Sequence, residues 1–245
     1  MWKRCILLVI AWSFTGMQSI VFHTHTTSFF RIKYEKTIRA KDAAIVGELL
    51  ETSYAKFKKI FDLPLSGRVD VTMFKSVDRL KWESKVPYFD DGVFRNGKLF
   101  ISWPAMIQRD EKLRALIARL TSRVVLDELK GCPHWLAECY SVYAGGDMVR
   151  YSRPSRLNMV SFADLAEDFS HLERAEDYRE TYGKLAVTAS FLVNRYGLDK
   201  FESVFAQFKK GGVSYDDAFE KAFGEKTAVI EKAWVKALAS PPKEG

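Results

Sequence analysis

The sequence predicts an α+β protein in which a small mixed sheet with a helix comes first and a helical bundle follows. Segments of alternating apolar residues lie before residue 104, and an Asn-Gly pair separates two of them. From about residue 110 to 240, apolar residues recur at helical spacing with short glycine breaks. Strands followed by a run of helices are typical of α+β folds.

Length and composition set limits on the class of protein. The chain has 245 residues, of which 47% are hydrophobic and 14% aromatic, so it has enough apolar side chains for one large core or two small ones. The formal net charge is +7, but no run of Lys and Arg is longer than two residues. A nucleic-acid partner is therefore not expected.

The N-terminus has the pattern of an export signal. Lys3 and Arg4 precede an apolar run at 5–16, so residues 1–22 are predicted to be a signal peptide or an uncleaved N-terminal anchor. We expect an exported protein that is periplasmic, secreted or membrane-anchored, and it would touch a membrane only through this segment, if the segment is uncleaved. Residues 240–245 form a polar tail.

The β-rich lobe is predicted over about 28–104. Strands are expected at 27–36 and 68–76, and a hairpin at 90–104 with its turn at Asn96-Gly97. The segment His23-Thr24-His25 is interpreted as a polar linker. Helical spacing predicts a helix at 41–63, whose apolar residues are Ile45, Leu49, Tyr54, Phe57, Ile60 and Phe61.

The helical lobe, about 110–239, begins with a helix at about 111–130. Two arginines, Arg119 and Arg123, lie one turn apart between its apolar flanks. Either their charged heads reach water while the stems pack, or they pair with a buried carboxylate. The apolar stripe of this helix consists of Leu113, Leu116, Ile117, Leu120 and Val124.

The next helix offers such a carboxylate. Pro133 suits a helix start, and Glu138 shares a face with Trp135 and Val142. Glutamate is rarely buried unless it is paired. We therefore predict an ion pair of Glu138 with Arg119 and Arg123, for which Asp127 competes as a partner of Arg123.

The stretch 28–239 resembles the peptidase MA-like domains, which are gluzincin-type zinc peptidases with a thermolysin-like core. The order of its strands and helices is similar to that family. PHWLAEC (133–139) resembles the family's P-x-W-L-A-E-G, and ARLTSRVVL (118–126) stands where the family has A-H-E-x-x-H-V-V-L. The helices that follow, from RETYGKLAVTASFLVNRYG onward, are also similar to the family's.

The resemblance implies that the zinc site is degenerate. In the family two histidines and a downstream glutamate bind zinc, and the glutamate after the first histidine is the general base. By position these residues are Arg119, Arg123, Glu138 and, for the base, Leu120. A guanidinium has no lone pair for a metal. We expect no catalytic residue and no cofactor, although the family uses zinc.

Three functions are compatible with this pattern. The first is a pseudo-metallopeptidase whose cleft binds a peptide or protein segment along an edge strand within 98–103. The second is a structural protein of the cell envelope. The third is an active hydrolase with a relocated site around His134, Glu138 and Cys132, in which His134 and Glu138 would be the metal ligands. Tyr182 falls near the family's cleft-facing tyrosine, or belongs only to the core.

Overall fold

The computed structural model describes residues 21–85, 91–103, 110–146, 161–170, 172 and 174–239. These residues form five strands and nine helices. The strands are β1 (Phe22–Thr26), β2 (Phe30–Glu35), β3 (Val69–Phe74), β4 (Gly92–Arg95) and β5 (Lys98–Ser102). The helices are α1 (Ala40–Phe61), α2 (Val77–Ser84), α3 (Asp110–Asp127), α4 (His134–Ala144), α5 (Phe162–Ser170), α6 (Ala175–Tyr196), α7 (Leu198–Phe208), α8 (Tyr215–Phe223) and α9 (Thr227–Ala239).

The strands form one mixed sheet in the order β1-β2-β3-β5-β4. The pairs β2–β3 and β3–β5 are parallel, whereas β1 and β4 run antiparallel to their neighbours. The predicted α+β class, with a small mixed sheet and a mostly helical remainder, is confirmed.

The β4–β5 hairpin turns at Asn96 and Gly97, as the sequence predicts. Both residues have positive φ, 51° and 71°, which a two-residue type I′ turn requires. This short turn places β4 directly beside β5, so β5 lies inside the sheet between β3 and β4. The prediction of an edge strand within 98–103 is therefore wrong, and the edge strand at this side of the sheet is β4.

Strand β1 corrects the interpretation of His23-Thr24-His25 as a polar linker. These residues pair antiparallel with β2, in the register His23↔Tyr34 to His25↔Ile32. An edge strand can expose much of its surface and therefore needs few apolar residues. The mostly polar residues of β1 show no alternating apolar pattern in the sequence. The sheet thus begins at Phe22, before the predicted domain start at residue 28.

Helix α1 buries Tyr54, Phe57 and Phe61 as predicted, but near its N-terminus it packs through smaller residues and not through Ile45. Ile45 is 45% exposed, and Ala43, Val46, Gly47 and Leu50 are buried instead. A Cβ on Gly47 would lie 2.9 Å from Thr27 Cγ2 and 3.2 Å from Ile32 Cδ1. Small residues allow this close approach, and a count of large apolar residues does not detect it.

The helical lobe packs around α4. Residues Trp135 to Val142 of α4 are all buried, because α3, α5 and α6 surround the helix. Trp135 stacks on Phe162 with ring centroids 5.3 Å apart, and Trp234 lies 5.0 Å from Phe162. The residues on α4 are thereby held by packing on several sides.

Two predictions concern residues outside the described part of the chain. The signal peptide or anchor is predicted over 1–22, of which only Val21 and Phe22 are described, and the polar tail is 240–245. Within the described residues, no helix combines the length and the apolar character needed to cross a membrane.

Candidate functional site

Helix α3 carries both arginines into the interior. Arg119 is 4% exposed and Arg123 is 6% exposed. The alternative in which their heads reach water is therefore wrong. Helix α3 packs against α1, α4 and β4 at once, so a long side chain on its apolar side meets protein rather than solvent.

Arg123 contacts four side chains. Its Nε donates a hydrogen bond to Glu138 Oε1 at 3.0 Å, and its Nη1 donates to Asp127 Oδ1 at 3.1 Å. Its Nη2 lies 2.7 Å from His134 Nδ1, and its Cζ lies 5.2 Å from the centre of the Phe94 ring. One guanidinium thus links α3 to α4 and to β4.

The contact with His134 engages one nitrogen of that imidazole. A guanidinium has only hydrogen-bond donors, so Nδ1 is the acceptor in this contact. His134 is the first residue of α4 and is exposed. Its Nδ1 is therefore engaged by the guanidinium that also binds Glu138.

Glu138 is held from two sides. It is 8% exposed, and besides Arg123 it accepts a hydrogen bond from the Tyr182 hydroxyl, 3.3 Å from Oε2. Tyr182 lies on α6, so the carboxylate joins three helices. Tyr182, which the sequence places near the cleft, thus contacts Glu138, the residue that stands at the expected position of the family's third zinc ligand.

Arg119 reaches the edge strand. Its Nη2 donates a hydrogen bond to the carbonyl oxygen of Gly92 at 3.0 Å. The carbonyl of Asp91 accepts from Ser102 N in β5, so by the alternation of an antiparallel pair the Gly92 carbonyl points away from β5. Arg119 therefore binds the outward edge of β4, while its predicted pairing with Glu138 stays a prediction.

Strand β4 and the start of α6 contribute to the site in a way that the sequence does not predict. Gly92 and Phe94 touch the two arginines, yet nothing in the sequence of the hairpin indicated that it faces α3. Tyr178 stacks near Tyr182 with ring centroids 6.2 Å apart. Burial raises the pKa of the Tyr178 hydroxyl, the charge of Arg95 opposes this rise, and the charge of Glu138 adds to it. Since the charge of Glu138 acts on Tyr178, this tyrosine also borders the site.

The side chains at the positions of the expected zinc site do not fit a zinc ion. Arg119 and Arg123 have no lone pair to offer, and Leu120 is an apolar side chain that is 2% exposed. Of the four positions only Glu138 carries a ligand atom, and Arg123 binds it. In the described part of the chain, no group of three His, Cys, Asp or Glu side chains is arranged to hold a metal ion.

Cys132 adds no reactive group to this site. Burial raises the pKa of its thiol to about 12, against the opposing charge of Arg123. The thiolate is the form that attacks substrates and binds metals. A thiol with this pKa is protonated at neutral pH, so the relocated site predicted around His134, Glu138 and Cys132 gains no nucleophile from it.

The fold, a small mixed sheet followed by a mostly helical lobe, is compatible with a peptidase of the MA type. A family model described as the Peptidase MA superfamily matches residues 100–240, more than half of the chain. The chain belongs to the Peptidase MA superfamily. The match begins in β5 and covers α3 to α9, and so includes both arginines and Glu138. No curated protein matches the chain in sequence.

Proposed function

We propose that this protein is an exported pseudo-metallopeptidase of gluzincin type, with a thermolysin-like core, that binds no zinc and hydrolyses no peptide. The observation that carries the proposal is the Arg123–Glu138 hydrogen bond of 3.0 Å. It occupies the junction of α3 and α4, where the family positions would have to converge on a metal. The general base is also absent, because Leu120 takes no proton from water.

The domain is proposed to cover residues 22–239, since β1 belongs to the sheet. Export is supported by the charged and apolar pattern of residues 1–22 alone. The segment serves as a signal peptide or as a membrane anchor, and either function delivers the domain outside the cytoplasm.

The proposed activity is binding of an extended peptide or protein segment. The outward edge of β4 supports it, because an edge strand presents backbone donors and acceptors to an added strand. Arg119 binds the Gly92 carbonyl on this edge, so the added strand would pair beside Phe94, over the Arg123 guanidinium.

The experiment compares the protein with a restored variant, Arg119→His/Leu120→Glu/Arg123→His. Zinc is measured by elemental analysis after purification in zinc-containing buffer, and hydrolysis is measured on a quenched-fluorescence peptide library. The protein as it exists is expected to hold far less than one zinc per chain and to cleave nothing. The restored variant, which combines two imidazoles with Glu138, is expected to hold about one zinc per chain.

Stoichiometric zinc in the unaltered protein would overturn the proposal, as would peptide cleavage that a chelator abolishes. Leu120→Glu alone is the matched control. It supplies the carboxylate base without the imidazoles, so it should bind no more zinc than the unaltered protein.

A further inference from the structure

A basic surface covers the sheet face that lies opposite α1. Inward side chains such as Ile32 pack under Gly47 of α1, so the alternate residues of each strand point to the other side. We call this side the outer face. Its exposed cations are Lys33 and Lys98, together with Arg31, which pairs with Asp70, and Arg95, which donates hydrogen bonds to the carbonyls of Ser84 and Lys85.

These cations lie in adjacent cross-strand positions. Arg31 is paired in register with Asp70, Asp70 with Lys98, and Lys98 with Arg95, which forms one row across four strands. Lys33 lies two residues further along β2. Neighbouring strands are about 5 Å apart, so the row concentrates charge within a short distance.

The two carboxylates that the strands place on this face, those of Asp70 and Glu35, lie beside arginines. Arg31 binds Asp70 through two hydrogen bonds, of 2.6 and 2.8 Å. This hydrogen bonding holds the pKa of the Asp70 carboxyl below its usual value, and the charges of Lys33 and Lys98 add to the effect. Glu35 is buried and lies 3.6 Å from Arg79 of α2. The strand residues of the outer face therefore carry more positive than negative charge.

An exposed tryptophan lies on the helix that packs on this face. Helix α2 contacts β3, β4 and β5, and its Trp82 is 56% exposed. The ammonium of Lys85 lies 4.6 Å from the centre of the Trp82 ring. Tryptophan favours the boundary between lipid and water, and lysine next to it can reach anionic headgroups while its stem stays apolar.

The chain also enters the domain on this face. Phe22 is aligned with Glu35 and packs edge-on against Phe74, with ring centroids 6.3 Å apart. The apolar stretch 5–16 of the sequence is thus joined to the outer face through a few residues.

We propose that the outer face binds the surface of an anionic lipid bilayer, with Trp82 in the headgroup region and the cations against the lipid phosphates. A nucleic-acid duplex would use the same charges, but its bases are already paired and stacked and offer no free ring to Trp82. This inference does not depend on the absence of zinc, and neither result of the zinc experiment changes it.

The test is flotation of the full chain with vesicles of phosphatidylcholine, with and without phosphatidylglycerol. Binding is expected to be stronger to the anionic vesicles and to weaken as salt is raised. A lysine near an anionic surface contributes roughly fivefold to binding, so Lys33→Gln/Lys98→Gln should weaken binding to anionic vesicles about twentyfold. Trp82→Ala should weaken it about tenfold.

The matched control is Lys221→Gln/Lys232→Gln, which removes the same charge from exposed positions on α8 and α9. It should bind like the unaltered chain, and thermal melts of all variants establish that each is folded. Equal binding to both kinds of vesicle would overturn the proposal, since the apolar N-terminus alone would then explain attachment. An equal loss in the control would also overturn it. So would binding of a DNA duplex that depends on Lys33 and Lys98 while vesicle binding does not.

Discussion

At the scale of single residues, the main feature is a charge buried where a metal would be expected. Removing a guanidinium and a carboxylate from water costs several kcal/mol for each ion, and only close, multiple hydrogen bonds offset this cost. Arg123 makes such bonds to Glu138, Asp127 and His134. Loss of either partner would therefore leave the other ion buried without its counter-charge.

The first prediction concerns this pair. Arg123→Ala should lower the free energy of unfolding by about 3–5 kcal/mol, because Glu138 is left buried without its cation. Glu138→Gln should cost about 1–3 kcal/mol, since the amide oxygen still accepts a hydrogen bond. Combined, the two changes should cost less than their sum by about 0.5–3 kcal/mol, measured by urea unfolding.

The control is Arg195→Ala, which breaks an ion pair with Glu225 at the surface. The side chain of Arg195 is 39% exposed and that of Glu225 is 34% exposed. It should cost no more than about 1 kcal/mol. Strictly additive losses for Arg123 and Glu138 would show that the two residues do not act as a unit.

At the scale of elements, the contact between β4 and α3 positions the site. Gly92 is buried, and a Cβ there would lie 2.9 Å from Leu120 Cδ1 and 3.2 Å from both Cδ atoms of Leu116. The strand can approach the helix this closely only because residue 92 has no side chain. The same approach brings the Gly92 carbonyl to Arg119.

The second prediction follows from this close approach. Gly92→Ala should lower the free energy of unfolding by about 1–3 kcal/mol, because β4 or Leu120 must move to make room. Gly67→Ala is the matched control, since nothing lies within 4 Å of a Cβ at that position. It should be neutral or slightly stabilising in the same thermal or urea unfolding experiment. Equal stability of both variants would contradict the packing described here.

Elements with a strong periodicity could be predicted from the sequence. Features that depend on tertiary contacts could not. The hairpin turn at Asn96-Gly97 and the buried side of α3 were predictable, because positive φ and apolar spacing are local properties. The strand containing His23 was not, since an edge strand needs little apolar surface. The contacts of Gly92 and Phe94 with the arginines depend on the order of strands, which no local pattern encodes.

At the scale of the whole molecule, stability is expected to be independent of metal. The core is continuous from the sheet through α3 and α4 to the aromatic residues around Trp135. Helices α3 and α4 are joined by hydrogen bonds and packing within the chain. A ligand stabilises a protein only if the native state binds it, so under the proposed function a chelator should leave the stability unchanged.

The third prediction tests this expectation. Adding EDTA should change the melting temperature of the unaltered protein by less than about 1 °C. The restored variant described above should lose several degrees under the same conditions, since its helices would be joined through zinc. A large decrease for the unaltered protein, measured by calorimetry, would show that a bound ion supports the fold.

The position of β3 at the centre of the sheet has a consequence for how the chain reaches its native state. Its two neighbours, β2 and β5, both run parallel to it, whereas β1–β2 and β4–β5 are hairpins of nearby residues. Hairpins form in microseconds, but parallel pairing must wait for the intervening helix to close a long loop. We therefore expect two early hairpins and a later, slower step in which β3 pairs with both of them, after the connections through α1 and α2 have closed.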